Sequence, residues 1–275
     1  MELTRENYFS QEAQMAYMGS SQFKDFLSCE AAALAKIQGR YKPPASRSML
    51  VGSYVDAWYS GELPDFTERH PDMFKKDRTL KADFLAANAI IDRMQADQLY
   101  SLLMSGEKQV IRTGKIAGVP FKIKIDSLLD AAACRQIAEE FPGAAPALGF
   151  GDGAIVDQKV MRDLGDVWSD EERRMVPFAQ AWGYDIQGAI YQAVEGHMMP
   201  FILAVGTREE PADLATLYIP DDALRAKLYE VEDLAPRFQA IKEGREEPRR
   251  CERCPWCRAT RTLRTIVDFR ELGRQ

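Results

Sequence analysis

The sequence predicts an α/β fold: a central mixed β-sheet flanked by helices, preceded by an N-terminal helical segment. Three observations carry this reading. Ala154 to Val160 is a short apolar run with the length and β-branched content of a buried strand. Val119 to Leu128 alternates, with Val119, Phe121, Ile123 and Ile125 on one side and Lys122, Lys124 and Asp126 on the other. Upstream of both, three stretches between Ser20 and Met104 have helical character.

The elements follow in order. Ser20 or Ser21 can cap a helix running to Ile37, with Phe23, Phe26, Leu27, Leu34 and Ile37 as its apolar stripe and Gly39 at its end. Tyr41 to Ser48, with Pro43-Pro44 and Arg47, reads as a loop. Met49 to Tyr59 is a second helix closed by Gly61, and Leu63 to Arg78 is irregular. Thr79 can cap a long helix to Met104, broken by Ser105-Gly106. Glu107 to Thr113 is a strand, and Gly114 to Gly118 turns into the strand that carries Asp126. Glu107 itself reads as a solvated strand end. Ala131 to Gly153, rich in Ala, Gly and Pro, reads as an insertion with a short helix from Ala132 to Phe141. Pro177 suits the first turn of a helix extending to about His197. Phe201 to Val205 and Thr216 to Ile219 are two more strands, and Asp221 or Asp222 caps a last long helix toward Lys242 and Gly244. The expected organisation is one compact domain, with a helical segment over 1–104, a core over 105–244 and a cysteine-bearing tail over 245–275.

The chain has 275 residues, 46% of them hydrophobic, enough for one substantial core. Its formal charge of −6 argues against a basic DNA-coating protein, but basic residues can still concentrate in one groove. No apolar run reaches 18 residues, and the polar N-terminus lacks a signal-peptide core, so the expectation is a cytoplasmic protein without a membrane partner.

In a strand over Ala154 to Val160, Asp157 and Lys159 stand on one face beside Ile155, while Gln158 faces away with Val156 and Val160. Charges in an apolar strand cost several kcal/mol each before compensation. Such a cost is usually met where the groups do chemistry or bind an ion. Asp126 on a neighbouring strand supplies a second carboxylate. Two carboxylates and a lysine suit a hard cation such as Mg2+ (or Mn2+), the lysine orienting a water. In the helix after Pro177, Gln180, Tyr184, Gln187 and Tyr191 fall at spacings of 4, 3 and 4 and share a face. That face is a polar seam against the sheet, a brace for the charged strands, or a contact for a ligand. Gly183 and Gly188 would admit a close neighbour.

Asp126 followed by Asp157-Gln158-Lys159 resembles the PD-(D/E)XK nuclease signature, and the flanks are similar to the RecB-like and RecE-like exonucleases of phages and prophages. Gln187 and Tyr191 match that family's Gln-x-x-x-Tyr, and Ser21 to Cys29 matches its Ser-x-x-x-x-Phe-x-x-Cys segment. The resemblance implies a restriction-endonuclease-like core and a Mg2+-dependent DNA exonuclease. Asp126, Asp157 and the Gln158 carbonyl would hold the cation, Lys159 would position water, and Gln187 and Tyr191 would hold DNA or brace the site. Relatives often present a histidine from the second helix. Here Gly52-Ser53-Tyr54-Val55-Asp56 has none, and Asp56 is the candidate replacement ligand or else an exposed helix acid. The missing histidine favours a rival reading, a non-catalytic DNA-binding module that recruits a recombination partner such as a single-strand annealing recombinase. A third reading is a CRISPR-adaptation-type enzyme that trims single strands. Lys122 and Lys124 are candidate DNA contacts, and a homo-oligomer is possible for an enzyme that encircles DNA.

The tail reads Arg249-Arg250-Cys251-Glu252-Arg253-Cys254-Pro255-Trp256-Cys257. Cys-x-x-Cys-x-x-Cys is a strong metal-ligand pattern where disulfides are disfavoured. Three such thiolates plus a remote cysteine can hold a 4Fe–4S cluster, as in bacterial ferredoxins. Zn2+, the alternative, more often takes two separated pairs. The fourth ligand comes from resemblance: several RecB-like nucleases, including the AddB subunit and the CRISPR-associated adaptation nucleases, join one N-terminal cysteine to three C-terminal ones. That implies Cys29, Cys251, Cys254 and Cys257 around one centre, as a staple between the two ends. Seven arginines (Arg245, Arg249, Arg250, Arg253, Arg258, Arg261 and Arg264) surround it against Glu246, Glu247 and Glu252. They contact phosphates, Arg249 and Arg250 being the candidates, or offset thiolate charge.

Overall fold

The Ser10 hydroxyl accepts the Ala13 N–H and opens the first short helix, α1 (Gln11–Ala16). The computed structural model describes residues 1–270 except 45, 149–151, 171, 197, 264, 267 and 269. The helix end expected near His197, and Arg264, lie outside the described residues.

The single helix expected over Ser20 to Ile37 is two, α2 (Ser20–Ser28) and α3 (Glu30–Ile37). Cys29 between them is extended, at φ −167° and ψ 109°, and its N–H still closes the turn on Asp25 O. Neither serine caps α2, because Gly19 holds the cap position and Ser20 is already helical. Helix α4 (Arg47–Tyr59) begins two residues earlier than expected, since the Ser46 hydroxyl accepts the Met49 N–H. The stretch expected to be irregular contains α5 (Leu63–Arg69), with Pro64 in its first turn. Thr79 does not cap the next helix. Its hydroxyl bonds the Asp77 carboxylate instead, and the expected long helix is split into α6 (Ala82–Gln95) and α7 (Gln98–Leu103) by an Asp97 cap on the Tyr100 N–H.

Strands β1 (Glu107–Ile116) and β2 (Val119–Asp130) form a hairpin longer than expected. Ala117 and Gly118 both have positive φ, 47° and 79°, which makes a tight turn that follows the strand twist. The insertion carries α8 (Ala131–Glu140), capped by Asp130, and the short α9 (Ala145–Leu148). After β3 (Gly153–Met161) come a small hairpin, β4 (Val167–Ser169) with β5 (Arg174–Val176), and then two helices rather than one. Helix α10 (Phe178–Ala181) ends at Trp182, and Gly183 at φ 63° restarts the chain as α11 (Tyr184–Glu195). Strands β6 (Phe201–Thr207) and β7 (Leu214–Ile219), the long α12 (Asp221–Lys242) and the short α13 (Pro255–Ala259) complete the described elements. Pro220 rather than an aspartate sits at the α12 cap; Asp221 and Asp222 lie in the first turn, where the helix dipole favours them.

The sheet has the order β1-β2-β3-β6-β7. The β3–β6 pair is parallel and the others antiparallel, so the sheet is mixed. It separates two cores. On one side Ile155, Leu203 and Val205 pack with α2, α3, α11 and α12; on the other Val156, Ile202 and Ala204 pack with α4, α6, α7 and α8. Residues of β2 change sides along the strand. Ile125 belongs to the first core and Leu129 to the second, although four residues apart they should share a face, so the alternation slips by one around Asp126.

Candidate active site

The slip coincides with an opening in the sheet. The β2–β3 ladder runs from Asp130↔Gly153 to Ser127↔Val156 and stops there. At the next position Asp126 replaces the ladder bond with its side chain: Oδ2 accepts the Gln158 N–H at 2.9 Å. Beyond it a cavity of about 1010 Å³ is bordered by Tyr8 and Phe9, by α2 and α4, by β2 and β3, and by α11. Both helical layers reach it because it lies at the parted strand ends.

Asp157 and Lys159 share a face, as their spacing predicts, and form an ion pair. Asp157 is 2% exposed, and its Oδ1 accepts the Gln187 side-chain N–H at 2.6 Å. Tyr191, one turn on, donates its hydroxyl to Lys124 O at 2.9 Å. Gln187 and Tyr191 are thus bonded to the charged strands. Gln158 points the other way and donates to the Tyr100 hydroxyl at 3.1 Å. Its carbonyl lies 3.3 Å from Lys159 Nζ at the cavity.

Asp56 on α4 stands at the same place. The Gln109 side-chain nitrogen donates to Asp56 Oδ1 at 3.2 Å and to Asp126 Oδ1 at 3.4 Å. Burial, then the charges of Asp157 and Asp56, push the Asp126 carboxyl up to about 8. Asp56 is also raised, first by burial and then by Asp157, against the pull of Lys124 and Lys159. Burial disfavours the Lys159 ammonium, but Asp157 and Asp126 outweigh it and hold the lysine protonated. Asp56, Asp126, Asp157 and the Gln158 backbone carbonyl offer only oxygen donors at this cavity. The residues fit a hard divalent cation.

The basic residues divide. Six border the cavity (Lys24, Lys122, Lys124, Lys159, Arg162 and Arg208) against four aspartates, a local excess in a chain of charge −6. Lys122 is 1% exposed and donates its ammonium to Tyr8 O, so it ties down the N-terminal segment and is spent as a phosphate contact. Lys124 lies 5.3 Å from the Phe9 ring centroid. Arg249 and Arg250 are not at this cavity. Arg250 bonds Glu252, the Thr260 hydroxyl and Cys257 O, and the Arg249 N–H donates to Glu30.

A model of the PDDEXK-like domain of unknown function (DUF3799) matches residues 19–134 and 148–260. The chain belongs to this PDDEXK-like family. A crystal structure from Eubacterium rectale, described as a "putative exonuclease", is similar over 99% of this chain and 98% of its own, at 37% identity and a TM-score of 0.85. No curated protein matches the chain. The restriction-endonuclease-like fold expected from the motif is therefore the fold of this PDDEXK-like chain.

The second constellation lies at the ends of the PDDEXK-like core. The sulfurs of Cys29, Cys251, Cys254 and Cys257 all lie within 4.8 Å of one another. Cys29 and Cys257 are closest, at 3.5 Å, and both are buried. Burial opposes the Cys251 thiolate, but backbone N–H groups of Cys254 and Arg253 outweigh it and bring the thiol down to about 6. Sulfurs so placed fit a metal. Glu30, next to Cys29, accepts from Arg237 Nε and Nη2 at 2.8 Å each and from the Arg249 N–H at 2.6 Å, joining α3, α12 and the tail. Among the described residues, no helix is long and apolar enough to cross a membrane.

Sequence reasoning missed Gln109 and Lys24, and placed Tyr184 on the helix face without giving it a role. Lys24 and Lys159 lie 5.3 and 5.1 Å from the Tyr184 ring centroid, and Lys24 Nζ donates to Trp182 O at 3.1 Å. Tyr184 was legible on the Gln180–Tyr191 face. Gln109 carried no signal.

Proposed function

We propose that the chain is a divalent-cation-dependent DNA exonuclease. The observation that carries the reading is the convergence of Asp126, Asp157, Lys159 and Asp56 on one cavity. Asp56, Asp126, Asp157 and the Gln158 carbonyl would hold Mg2+ or Mn2+, which would polarise the scissile phosphate and offset charge on the leaving oxygen. Lys159, kept charged by two carboxylates, orients the attacking water. Gln187 fixes the Asp157 rotamer, and Tyr191 anchors β2 through Lys124 O. Asp56 beside Asp126 supplies the carboxylate where relatives present a histidine, which weighs against a non-catalytic module. Work in phage or prophage recombination beside a single-strand annealing protein, and an oligomeric ring, rest on the resemblance alone.

The test is digestion of linear duplex DNA with Mg2+. Wild type should degrade it, while Asp157→Ala and Lys159→Ala should not. Equal digestion by wild type and both variants, or none by wild type, would reject the proposal.

A second reading, trimming of single strands, is favoured by exposed aromatics at the cavity. Phe9 is 68% and Trp182 55% exposed, both bordering it among lysines. Unpaired bases can stack on such faces, at about 1–3 kcal/mol each. Faster cleavage of an unpaired oligonucleotide than of the matching duplex, with the preference lost in Phe9→Ala, would select this reading.

The cysteines would hold a structural metal. Their sequence spacing suits a 4Fe–4S cluster. Their compactness suits one tetrahedral ion, since 2.3 Å metal–sulfur bonds place sulfurs about 3.8 Å apart. Anaerobic purification separates the two: brown visible absorption marks the cluster, and a colourless protein with one zinc per chain marks the ion.

A further inference from the structure

Gln109 lies within β1, yet its φ is 55°, a left-handed conformation that a non-glycine residue rarely adopts in a strand. Lys108 and Val110 on either side keep their ladder partners, Ser127 and Ile125, while no pair joins Gln109 to Asp126. The backbone is thus turned at the point where β2 changes sides. The side chain is not released to solvent: the residue is 4% exposed. Its amide nitrogen sits between Asp56 Oδ1 and Asp126 Oδ1, at 3.2 and 3.4 Å. Its amide oxygen is buried and meets no donor among the described residues.

Oδ1 of Asp56 and Oδ1 of Asp126 both accept at one point, and a carboxyl that holds a proton on one oxygen still accepts through the other. Without a cation, that point suits a group of positive partial charge, and the amide N–H2 supplies it. With a cation, the same N–H2 is repelled. Half a turn about the terminal side-chain bond exchanges nitrogen for oxygen without moving the backbone. The orphaned Oε1 then becomes a neutral oxygen donor beside two charged ones, a combination hard cations accept.

We propose that Gln109 is a further ligand residue of the cation site, its amide nitrogen bridging Asp56 and Asp126 before binding and its amide oxygen joining them afterwards. The inference rests on the cleft holding a divalent cation. It assigns to this chain a donor from β1 in addition to those from α4, β2 and β3.

The experiment is Mn2+ binding to the full-length protein by calorimetry, without DNA. Gln109→Met, similar in shape and lacking the oxygen donor, should weaken Mn2+ binding about ten-fold or more. Gln109→Glu keeps an oxygen at the same reach and should bind at least as tightly as wild type. Gln109→Gly should weaken binding like Gln109→Met while melting, in the absence of Mn2+, no lower than wild type, because glycine tolerates this φ. A residue that merely fills space predicts the reverse, a lower melting temperature with affinity unchanged. Wild-type affinity in Gln109→Met, or Gln109→Glu as weak as Gln109→Met, overturns the proposal and leaves the nuclease reading intact. A wild type that takes up no Mn2+ overturns both.

Discussion

The molecule gathers side chains with metal-ligand chemistry in two places, and the two are built in opposite ways. At the cavity, oxygens crowd on parted strands in the middle of the sheet. Burial, and then the charges of the neighbouring aspartates, drive Asp126 up to about 8. At the ends of the chain, sulfurs from the α2–α3 break and from the tail meet outside the two main cores. There Glu30, next to Cys29, already joins the same segments by accepting the Arg249 N–H. On the proposed reading, the first arrangement would give up stability for a reactive centre, and the second, once it held a metal, would add stability by closing a long loop. A mutation at each should therefore move different observables.

The largest contrast lies in catalysis. Asp157→Ala or Lys159→Ala should lower DNA cleavage at least about 1,000-fold, while Cys257→Ser should leave the carboxylate geometry intact. Cleavage assays on both, paired with thermal melts, check this. Next comes the staple. Cys257 is fully buried, and Cys257→Ser should abolish metal retention and lower the melting temperature by roughly 10 °C, read by elemental analysis and calorimetry. If the metal stays at full occupancy, the four sulfurs do not act together.

A substitution in the packing of α11, one residue from Gln187, should act chiefly through stability. An alanine Cβ at Gly188 would meet Phe201 Cδ1 at 2.7 Å and Leu224 Cδ2 at 2.8 Å, so Gly188→Ala should cost about 1–3 kcal/mol in denaturant unfolding. The last contrast needs no substitution: it is a pH slope. Asp126 binds its proton more tightly folded than unfolded, so the folded state carries the extra proton. Metal-free stability should therefore fall as pH rises from about 4 to 8, by roughly 1 kcal/mol per unit at most. Added Mg2+ should flatten that slope; the cysteine staple should not respond to Mg2+ at all.

The two places also differed in how far the sequence disclosed them. Asp157 and Lys159 stood out because charges are costly to bury in an apolar strand, and the three tail cysteines because their spacing is that of metal ligands. The alternation of Val119 to Ile125 located β2, and the Gln187–Tyr191 spacing located the bracing face. What stayed hidden is where periodicity is interrupted. Cys29 stops a helix whose apolar stripe runs straight through it, because one extended residue costs the stripe nothing. The slip at Asp126 is invisible for the same reason: the residues on each side remain apolar and merely change core. Gln109 adopts φ 55° without any glycine or asparagine to announce it. Its contact with Asp56, 53 positions away, is set by tertiary packing alone.

The change of side at Asp126 leaves the cleft with two independent walls. Asp56 enters from the α4 layer and Gln187 from the α11 layer, and the two layers share no hydrophobic core. A residue on one wall can be exchanged while the opposite wall keeps its packing. An exchange of the ligand at Asp56 on α4 would then be a local change, and ligands could be redesigned one layer at a time.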